Sequence, residues 1–258
     1  MNNPVKEKLK NKEVTLGSWI MIGHPEVAEI MAQAGFDWIA VDIEHSPINF
    51  ETVQALFQAM KGTNCQPFVR LSDNDPVVIK RVMDCGATGI IVPMVNSMED
   101  AEKAIKAVKY PPEGNRGVGL GRASGYGAHF EDYFKTINDQ VVVIVMIEHI
   151  DAVNNIDSIL SVPGIDGIFI GPYDLSGSMG IAGQLEHPDV IDAREKVIKS
   201  AHKHNIALGI YVVYPNSKEV KNRIEEGYTF IAYSTDTIML GEECRKFMLF
   251  NTDTDRKE

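Results

Sequence analysis

Eight short apolar runs, each separated from the next by a helical stretch, constrain the fold of this 258-residue chain more than any other feature. The runs are rich in β-branched residues, and several are continuously apolar, which is typical of parallel strands that are covered on both faces. They span residues 15–20, 37–43, 67–70, 88–92, 141–147, 166–170, 206–212 and 229–233.

The segments between these runs carry apolar residues at helical spacing, and many begin with Pro, Ser or Asp near the first turn. They cover residues 25–34, 50–60, 76–84, 98–108, 188–204 and 217–226. Eight strand–helix units predict an α/β protein with one (β/α)8 TIM barrel over residues 1–250, followed by a disordered polar tail at residues 251–258. A doubly wound sheet would place a glycine-rich phosphate loop after an early strand, where this sequence has none.

Residues 110–140 break the alternation, because they form a long segment that is rich in glycine. Long segments of this kind inside a domain are usually functional. The segment follows the fourth helix and precedes the fifth strand, so we expect it to lie away from the active face, as a shielding loop or a subunit contact. Its GVGLGRASG stretch follows no strand, which argues against a dinucleotide site.

Composition and charge exclude several classes of partner. The net charge is −11 and the basic residues are scattered, which argues against nucleic acid. No apolar run approaches the roughly 18 residues that span a bilayer, and the charged start lacks a signal-peptide pattern, so we predict a cytoplasmic protein that does not contact the membrane. Cys65, Cys85 and Cys244 lie far apart, which argues against a disulfide framework or a structural zinc site.

Polar residues follow four of the apolar runs, and in a TIM barrel the carboxyl ends of the strands carry the catalytic residues. We therefore expect these residues to converge on one site. They are Asp42 near the end of the second run with Glu44 and His45 after it, Arg70 at the end of the third, Glu148 after the fifth, and Gly171, Pro172, Tyr173 and Asp174 after the sixth.

The residue types at these positions indicate metal-assisted chemistry on a 2-oxo acid. The carboxylates of Glu148 and Asp174 suit a hard ion such as Mg²⁺ or Mn²⁺, and a 2-oxo acid offers such an ion both a carboxylate and a keto oxygen. Arg70 would stabilise an enolate oxygen, and His45 would serve as a base. Each residue alone also fits a structural role, since Asp174 is placed to cap a helix and Arg70 to form an ion pair. Their joint placement favours a site.

Schiff-base chemistry is the main rival mechanism. A barrel aldolase of that type needs a lysine at a strand end. None of the eight runs contains or ends on a lysine. The sequence therefore disfavours it.

The sequence resembles the HpcH/HpaI aldolase family over nearly its whole length. The resemblance rests on an ordered series of motifs rather than on one. The motifs are Leu16-Gly17-Ser18-Trp19, Gly35-Phe36-Asp37-Trp38, Val41-Asp42-Ile43-Glu44-His45-Ser46-Pro47, Val69-Arg70, Gly86-Ala87, Val92-Pro93-Met94-Val95, Tyr110-Pro111-Pro112-Glu113-Gly114, Arg116-Gly117, Ile147-Glu148 and Gly171-Pro172-Tyr173-Asp174-Leu175-Ser176.

This resemblance implies a pyruvate aldolase with a divalent metal ion, Mg²⁺, Mn²⁺ or Co²⁺, bound by Glu148 and Asp174. It also implies that Arg70 steadies the enolate and that His45, paired with Asp84, performs acid–base chemistry. Asp42, Arg70 and the segment Gly171-Pro172-Tyr173 would bind the substrate. Homo-oligomers are implied as well, often hexamers built from dimers that exchange the last helix, here about residues 236–250.

Three segments depart from the pattern of the family. Met146 stands where Gln is common, His149 stands where Thr or Ser is common, and the stretch Gly119–Arg122 is less rich in alanine. The metal residues are intact, so these departures leave the identity of the second, aldehyde substrate open.

Three functions fit these residues. The first is a lyase that releases pyruvate from a 4-hydroxy-2-oxo acid, and the second is a decarboxylase or another carbon–carbon lyase that uses the same enolate. The third is a binding protein that has lost activity, which the intact polar residues disfavour.

Overall fold

The computed structural model describes residues 3–254 and shows a closed barrel of eight parallel strands. Each strand pairs with the next in sequence, and the first pairs with the last. All eight predicted runs are confirmed as strands. They are β1 (Thr15–Ile20), β2 (Trp38–Asp42), β3 (Gln66–Arg70), β4 (Gly89–Val92), β5 (Val142–Ile147), β6 (Gly167–Ile170), β7 (Ala207–Val212) and β8 (Phe230–Thr235).

Helices surround the barrel, and the six predicted helical segments are confirmed as α2 to α5, α10 and α11. The helices are α1 (Pro4–Lys10), α2 (Pro25–Gln33), α3 (Phe50–Ala59), α4 (Pro76–Cys85), α5 (Met98–Val108), α6 (Phe130–Gln140), α7 (Ile150–Asn154), α8 (Ile156–Leu160), α9 (Pro172–Ser178), α10 (Pro188–His204), α11 (Ser217–Glu225) and α12 (Asp236–Thr254). Helix α4 shows how local sequence sets the ends: the Asp75 carboxylate accepts from the amides of Val77 and Val78, and Gly86 closes the helix in the left-handed conformation.

Large aromatic side chains fill the barrel interior. Trp38 stacks on Phe230 with ring centroids 4.1 Å apart, and both rings are fully buried. The opposing position on β1 is Gly17, where a Cβ would lie 2.0 Å from the Trp38 ring. Glycine at residue 17 therefore makes room for the indole.

Helix α1 closes the end of the barrel where the strands begin. Val5 and Leu9 are buried in the same cluster as the interior aromatic rings. The Asn3 side chain donates to the carbonyl oxygens of Thr88 and Gln140, and Lys6 forms an ion pair with Asp166 at 2.9 Å. The opposite end, where the strands finish, is called the mouth below.

The glycine-rich segment that follows α5 lies on the closed side of the barrel, away from the mouth as predicted. Arg122 donates to the carbonyl oxygens of Phe57 and Cys85, which lie at the carboxyl ends of α3 and α4. Its last third is not irregular but forms α6. Val118 and Leu120 are largely exposed, and the subunit contact proposed for this segment stays a prediction.

The last helix, α12, differs from the helices that precede it. Helices such as α2, α3, α4 and α5 pack on their neighbours, whereas the main contacts of α12 are with β1 and β8. Leu240 and Met248 on α12 are exposed. The helix continues to Thr254, past residue 251 where the tail was predicted to begin, and residues 255–258 lie outside the described part of the chain.

Between residues 3 and 254, no helix combines the length and the apolar character that crossing a bilayer requires.

The packing of Trp38 against residue 17 generates a stability prediction. Gly17→Ala places a methyl group inside the indole ring, so we expect the free energy of unfolding to fall by on the order of 1 to 3 kcal/mol in urea titrations. Gly177→Ala is the matched control, because nothing lies within 4 Å of that added carbon in α9. The control should be neutral or stabilising, since alanine favours a helix. Equal unfolding free energies for the two variants would contradict this account of the core.

Candidate active site

Asp42 and Arg70 form the first pair at the mouth, because the register of β2 and β3 places them side by side. Arg70 Nε donates to Asp42 Oδ1 at 3.1 Å, and a terminal nitrogen of Arg70 donates to Asp42 Oδ2. Asp42 is fully buried, and its Oδ1 also accepts from the backbone amides of Glu44 and His45. One carboxylate thus fixes both the guanidinium and the turn that follows β2.

An aromatic ring supports Arg70 from the barrel side. The guanidinium carbon lies 4.7 Å from the ring centroid of Trp19, a cation–π distance. Trp19 in turn makes edge contacts with Phe169 and Tyr211, so the floor of the mouth is aromatic. Met146, one of the departures from the family pattern, is buried in the same floor cluster.

Glu148 lies directly after β5 and is only 5% exposed. Its Oε1 accepts from the backbone amide of Met94 at 2.7 Å. Met94 follows β4 and has a φ of 51°, in the left-handed region that a non-glycine residue rarely adopts. In this backbone conformation, the Met94 amide points at the Glu148 carboxylate.

Asp174 reaches Glu148 because of the segment that links β6 to α9. Pro172 starts α9, and Asp174 lies in its first turn. A Cβ on Gly171 would lie 2.9 Å from Glu148 Cβ, 3.0 Å from Glu148 Oε2 and 3.9 Å from Asp174 Oδ2. Both carboxylates therefore lie around the same point, and only glycine leaves room for Glu148 there. Tyr173 is exposed at the rim.

The charges at the mouth are unbalanced. Burial raises the pKa of Glu148 from 4.5 to about 7, with further increases from Glu44 and Asp174, while the Met94 amide and Arg70 oppose the rise. Arg70 is already paired with Asp42. Excess negative charge on oxygen ligands suits a hard divalent cation, so Glu148 and Asp174 fit the predicted metal ligands. Within residues 3–254, no group of three or more acidic, histidine or cysteine side chains is close enough to chelate an ion together.

Glu44 is the site residue to which sequence reasoning assigned no role. Its Oε2 lies 3.5 Å from Arg70 Nε and 3.5 Å from His45 Nε2. Burial raises the pKa of Glu44 from 4.5 to about 7, against the lowering effect of Arg70 and with smaller increases from Asp42 and Asp174. The sequence feature that could have identified Glu44 as a site residue is its position between Asp42 and His45. An acidic residue in a loop is usually solvated, so this feature alone is weak.

His45 and Asp84 are not brought together within the chain. The His45 side chain is 62% exposed at the mouth. Asp84 lies in the last turn of α4 and forms an ion pair with the buried Arg116 at 2.6 Å. Because α4 runs back from the mouth to the start of β4, its last turn lies at the closed end of the barrel. The pairing of Asp84 with His45 would need a second copy of the chain.

His149, which follows Glu148, has a local structural contact. Its Nδ1 accepts from the backbone amide of Asp151 at 3.1 Å and so caps the first turn of α7. The imidazole is one-third exposed at the mouth. This capping fixes its ring at the rim.

Comparison with known proteins matches this architecture to one family. Residues 15–241 match the HpcH/HpaI aldolase/citrate lyase family. The chain is 42% identical over 242 residues to a 4-hydroxy-2-oxo-heptane-1,7-dioate aldolase of Escherichia coli, which covers 93% of this chain and 91% of the relative.

Two solved structures share the whole fold. A HpcH/HpaI aldolase/citrate lyase family protein from Burkholderia cenocepacia J2315 superposes with a TM-score of 0.92 at 32% identity, covering 97% of this chain and 100% of that protein. A HpcH/HpaI aldolase from Desulfitobacterium hafniense DCB-2 gives a TM-score of 0.85 at 30% identity, covering 98% and 96%. Because the family match spans residues 15–241 and the relative is 42% identical over most of both chains, the chain belongs to the HpcH/HpaI aldolase/citrate lyase family.

Proposed function

We propose that this protein is a metal-dependent, class II aldolase that cleaves a 4-hydroxy-2-oxo acid to pyruvate and an aldehyde. The observation that carries the proposal is the placement of Glu148 and Asp174 around one point, beside an arginine that is fixed by Asp42. The 42% identical relative is a 4-hydroxy-2-oxo-heptane-1,7-dioate aldolase, which supports an aldolase over a decarboxylase.

Glu148 and Asp174 would hold the divalent ion, with Mg²⁺, Mn²⁺ and Co²⁺ as candidates. When bound, such an ion supplies positive charge for the carboxylate and keto oxygen of a 2-oxo acid and lowers the energy of the enolate. The two carboxylates leave coordination positions open for these oxygens.

Arg70 and His45 divide the remaining work. His45 takes the proton of the substrate 4-hydroxyl. The bond between carbons 3 and 4 then breaks, and the electron pair of that bond passes into the enolate. The aldehyde forms at carbon 4, and a proton returned to carbon 3 gives the methyl group of pyruvate. Arg70 stabilises the enolate oxygen with a charge that does not have to reorganise during the reaction.

The substrate is a small 2-oxo acid, bound by Asp42, Arg70 and the segment Gly171-Pro172-Tyr173. The exposed Leu240 and Met248 on α12 support a homo-oligomer in which this helix is exchanged between subunits, with a hexamer built from three such dimers as the proposed assembly. The cytoplasmic location remains a prediction.

Removal of the metal should abolish activity. We expect EDTA to stop pyruvate release, and Mn²⁺, Co²⁺ or Mg²⁺ to restore it, in a lactate-dehydrogenase-coupled assay over a panel of 4-hydroxy-2-oxo acids. None of the eight strands contains a lysine, so borohydride with pyruvate should leave the protein mass unchanged. A covalent adduct on a lysine would contradict the metal mechanism.

Replacing Arg70 and replacing His45 should impair different reactions. Arg70→Ala should slow every reaction through the enolate, including oxaloacetate decarboxylation and solvent exchange of the pyruvate methyl protons, at a cost of about 3 kcal/mol in the barrier. Arg70→Lys should recover part of this, since an ammonium group lacks the planar fork. His45→Ala should lose roughly 100-fold in aldol cleavage but retain more decarboxylation, which needs no base on a hydroxyl.

The measurement is the ratio of cleavage to decarboxylation rates in each variant. If both variants lose the two activities in equal proportion, the assigned roles are wrong even where the metal site is right.

Metal affinity should depend on pH through Glu148. Because burial raises the pKa of this carboxyl to about 7, it is largely protonated at pH 6, so metal binding there must release a proton. We expect calorimetric Mn²⁺ affinity to weaken as the pH falls from 8 to 6, with more protons released at pH 6. Affinity and proton release that stay constant over this range would contradict the assignment.

The stability of the metal-free protein should change in the opposite direction. The folded pKa of Glu148 lies above its ordinary value of 4.5, so the folded state binds the proton more tightly than the unfolded state. The contribution of this group to the free energy of unfolding therefore rises as the pH falls from about 7 to 4.5.

A further inference from the structure

Tyr211 is an inward-facing residue near the end of β7. Alternate residues of this strand face the barrel interior, where a Cβ on Gly209 would meet two floor rings, and Tyr211 is the next inward residue. It packs against the interior aromatic cluster but is partly exposed. Because α1 closes the barrel at the strand starts, the exposed part of this side chain faces the mouth.

The strand register places Tyr211 beside the candidate metal site. Phe169 on β6 pairs with Gly209 on β7. Two residues further along, Gly171 and Tyr211 therefore share the next level of neighbouring strands, which lie about 4.8 Å apart, and face the same side. The Gly171 position is the point around which both candidate metal ligands lie. A molecule bound by those ligands has the Tyr211 side chain next to it.

The ring of Tyr211 and its hydroxyl have different surroundings. The hydroxyl oxygen is inaccessible to solvent, and no group between residues 3 and 254 forms a hydrogen bond with it. Burial raises the pKa of Tyr211 to about 12, against the lowering effects of Thr235 and Arg70, so the phenol stays neutral and does not serve as a base. Thr235 lies close enough to affect this pKa but not in hydrogen-bonding geometry. The part of Tyr211 that a substrate meets is therefore the ring.

Trp19 and Tyr211 form an aromatic corner in the floor of the mouth. Their rings meet edge to face, with centroids 6.2 Å apart and planes at 89°. The guanidinium carbon of Arg70 lies 4.7 Å from the centroid of the Trp19 ring. The corner is thus an apolar surface that lies between the arginine and the candidate metal site.

Carbon 3 is the part of a 2-oxo acid that fits this corner. In the proposed function, the carboxylate and keto oxygens face the metal ion and Arg70, so the apolar carbon 3 is left to face the two rings. Carbon 4 and the end that becomes the aldehyde extend to the open side. A further substituent on carbon 3 would have to occupy the space of the Tyr211 ring.

We propose that the ring of Tyr211 limits the substituent on carbon 3, so that the protein forms the enolate of pyruvate in preference to the enolates of longer 2-oxo acids. The inference rests on the proposed aldolase function. Trp19 forms the other side of the corner but also supports Arg70. Replacement of Tyr211 therefore changes the corner while leaving that support in place.

The test is the exchange of carbon-3 protons with solvent deuterium, followed by proton NMR on the Mg²⁺-loaded protein with pyruvate and with 2-oxobutyrate. This exchange needs the enolate but no aldehyde. We expect the ratio of kcat/KM for pyruvate to that for 2-oxobutyrate to fall about 10-fold or more in Tyr211→Ala, since one methylene in an apolar pocket changes selectivity by roughly 10- to 200-fold. Tyr211→Leu should show a smaller fall, and calorimetric affinities for the two acids should shift in the same direction.

Tyr211→Phe is the matched control, because it removes the enclosed hydroxyl and keeps the ring. Its selectivity ratio should equal that of the unchanged protein. Its Tm should be equal or higher, since the variant removes a buried hydroxyl that has no hydrogen-bond partner among the described residues.

Two results would overturn the inference. One is an unchanged ratio in Tyr211→Ala and Tyr211→Leu, with thermal unfolding showing that the variants are folded. The other is a ratio in Tyr211→Phe that shifts as far as in Tyr211→Ala, which would assign the selectivity to the hydroxyl. If the unchanged protein exchanges the protons of neither acid, the proposed function fails, and the inference fails with it.

Discussion

The ion pair between Asp42 and Arg70 is the interaction on which the mouth of the barrel depends. A guanidinium that is only 16% exposed needs a partner, and the register of β2 and β3 supplies one at the same level of the sheet. Without that partner, the acidic groups that act on Arg70 would be Glu44 and Glu148. The pair therefore keeps the arginine from neutralising the residues that are available to a metal ion. The same carboxylate also accepts from the amides of Glu44 and His45, so one residue holds both the guanidinium and the turn that presents His45.

Most of the fold could be predicted from the sequence because strand burial leaves a clear signal. A parallel strand covered on both faces is continuously apolar, and the run ends where the chain leaves the sheet, so the same pattern located β5 and Glu148 together. The segment from residue 110 to residue 140 was harder. Its glycines mark close contacts, such as the approach of Gly121 to the backbone of Asp84, and such contacts are specified by packing rather than by periodicity.

The parts of the site that could not be predicted depend on distances between elements. Glu44 has an ordinary sequence context, and only burial beside Arg70 and the other carboxylates distinguishes it. Asp84 shows the opposite case. The resemblance assigned it to His45, but the direction of α4 places it beside Arg116. Helix direction decides which end of the barrel a residue reaches. Sequence spacing alone does not show which residues of two neighbouring subunits meet.

Helix α1 leaves the mouth as the open end of the barrel in the described part of the chain. Val5 and Leu9 close the barrel at the strand starts, and the floor beneath Arg70 is filled by Trp19 and Phe169. Substrate and both products of the proposed reaction must then share the mouth. In the proposed reaction, the 2-oxo end of the substrate would lie against this floor at the metal ion, and the end that becomes the aldehyde would extend outward. The aldehyde would then have to leave before pyruvate, because it would lie between pyruvate and solvent.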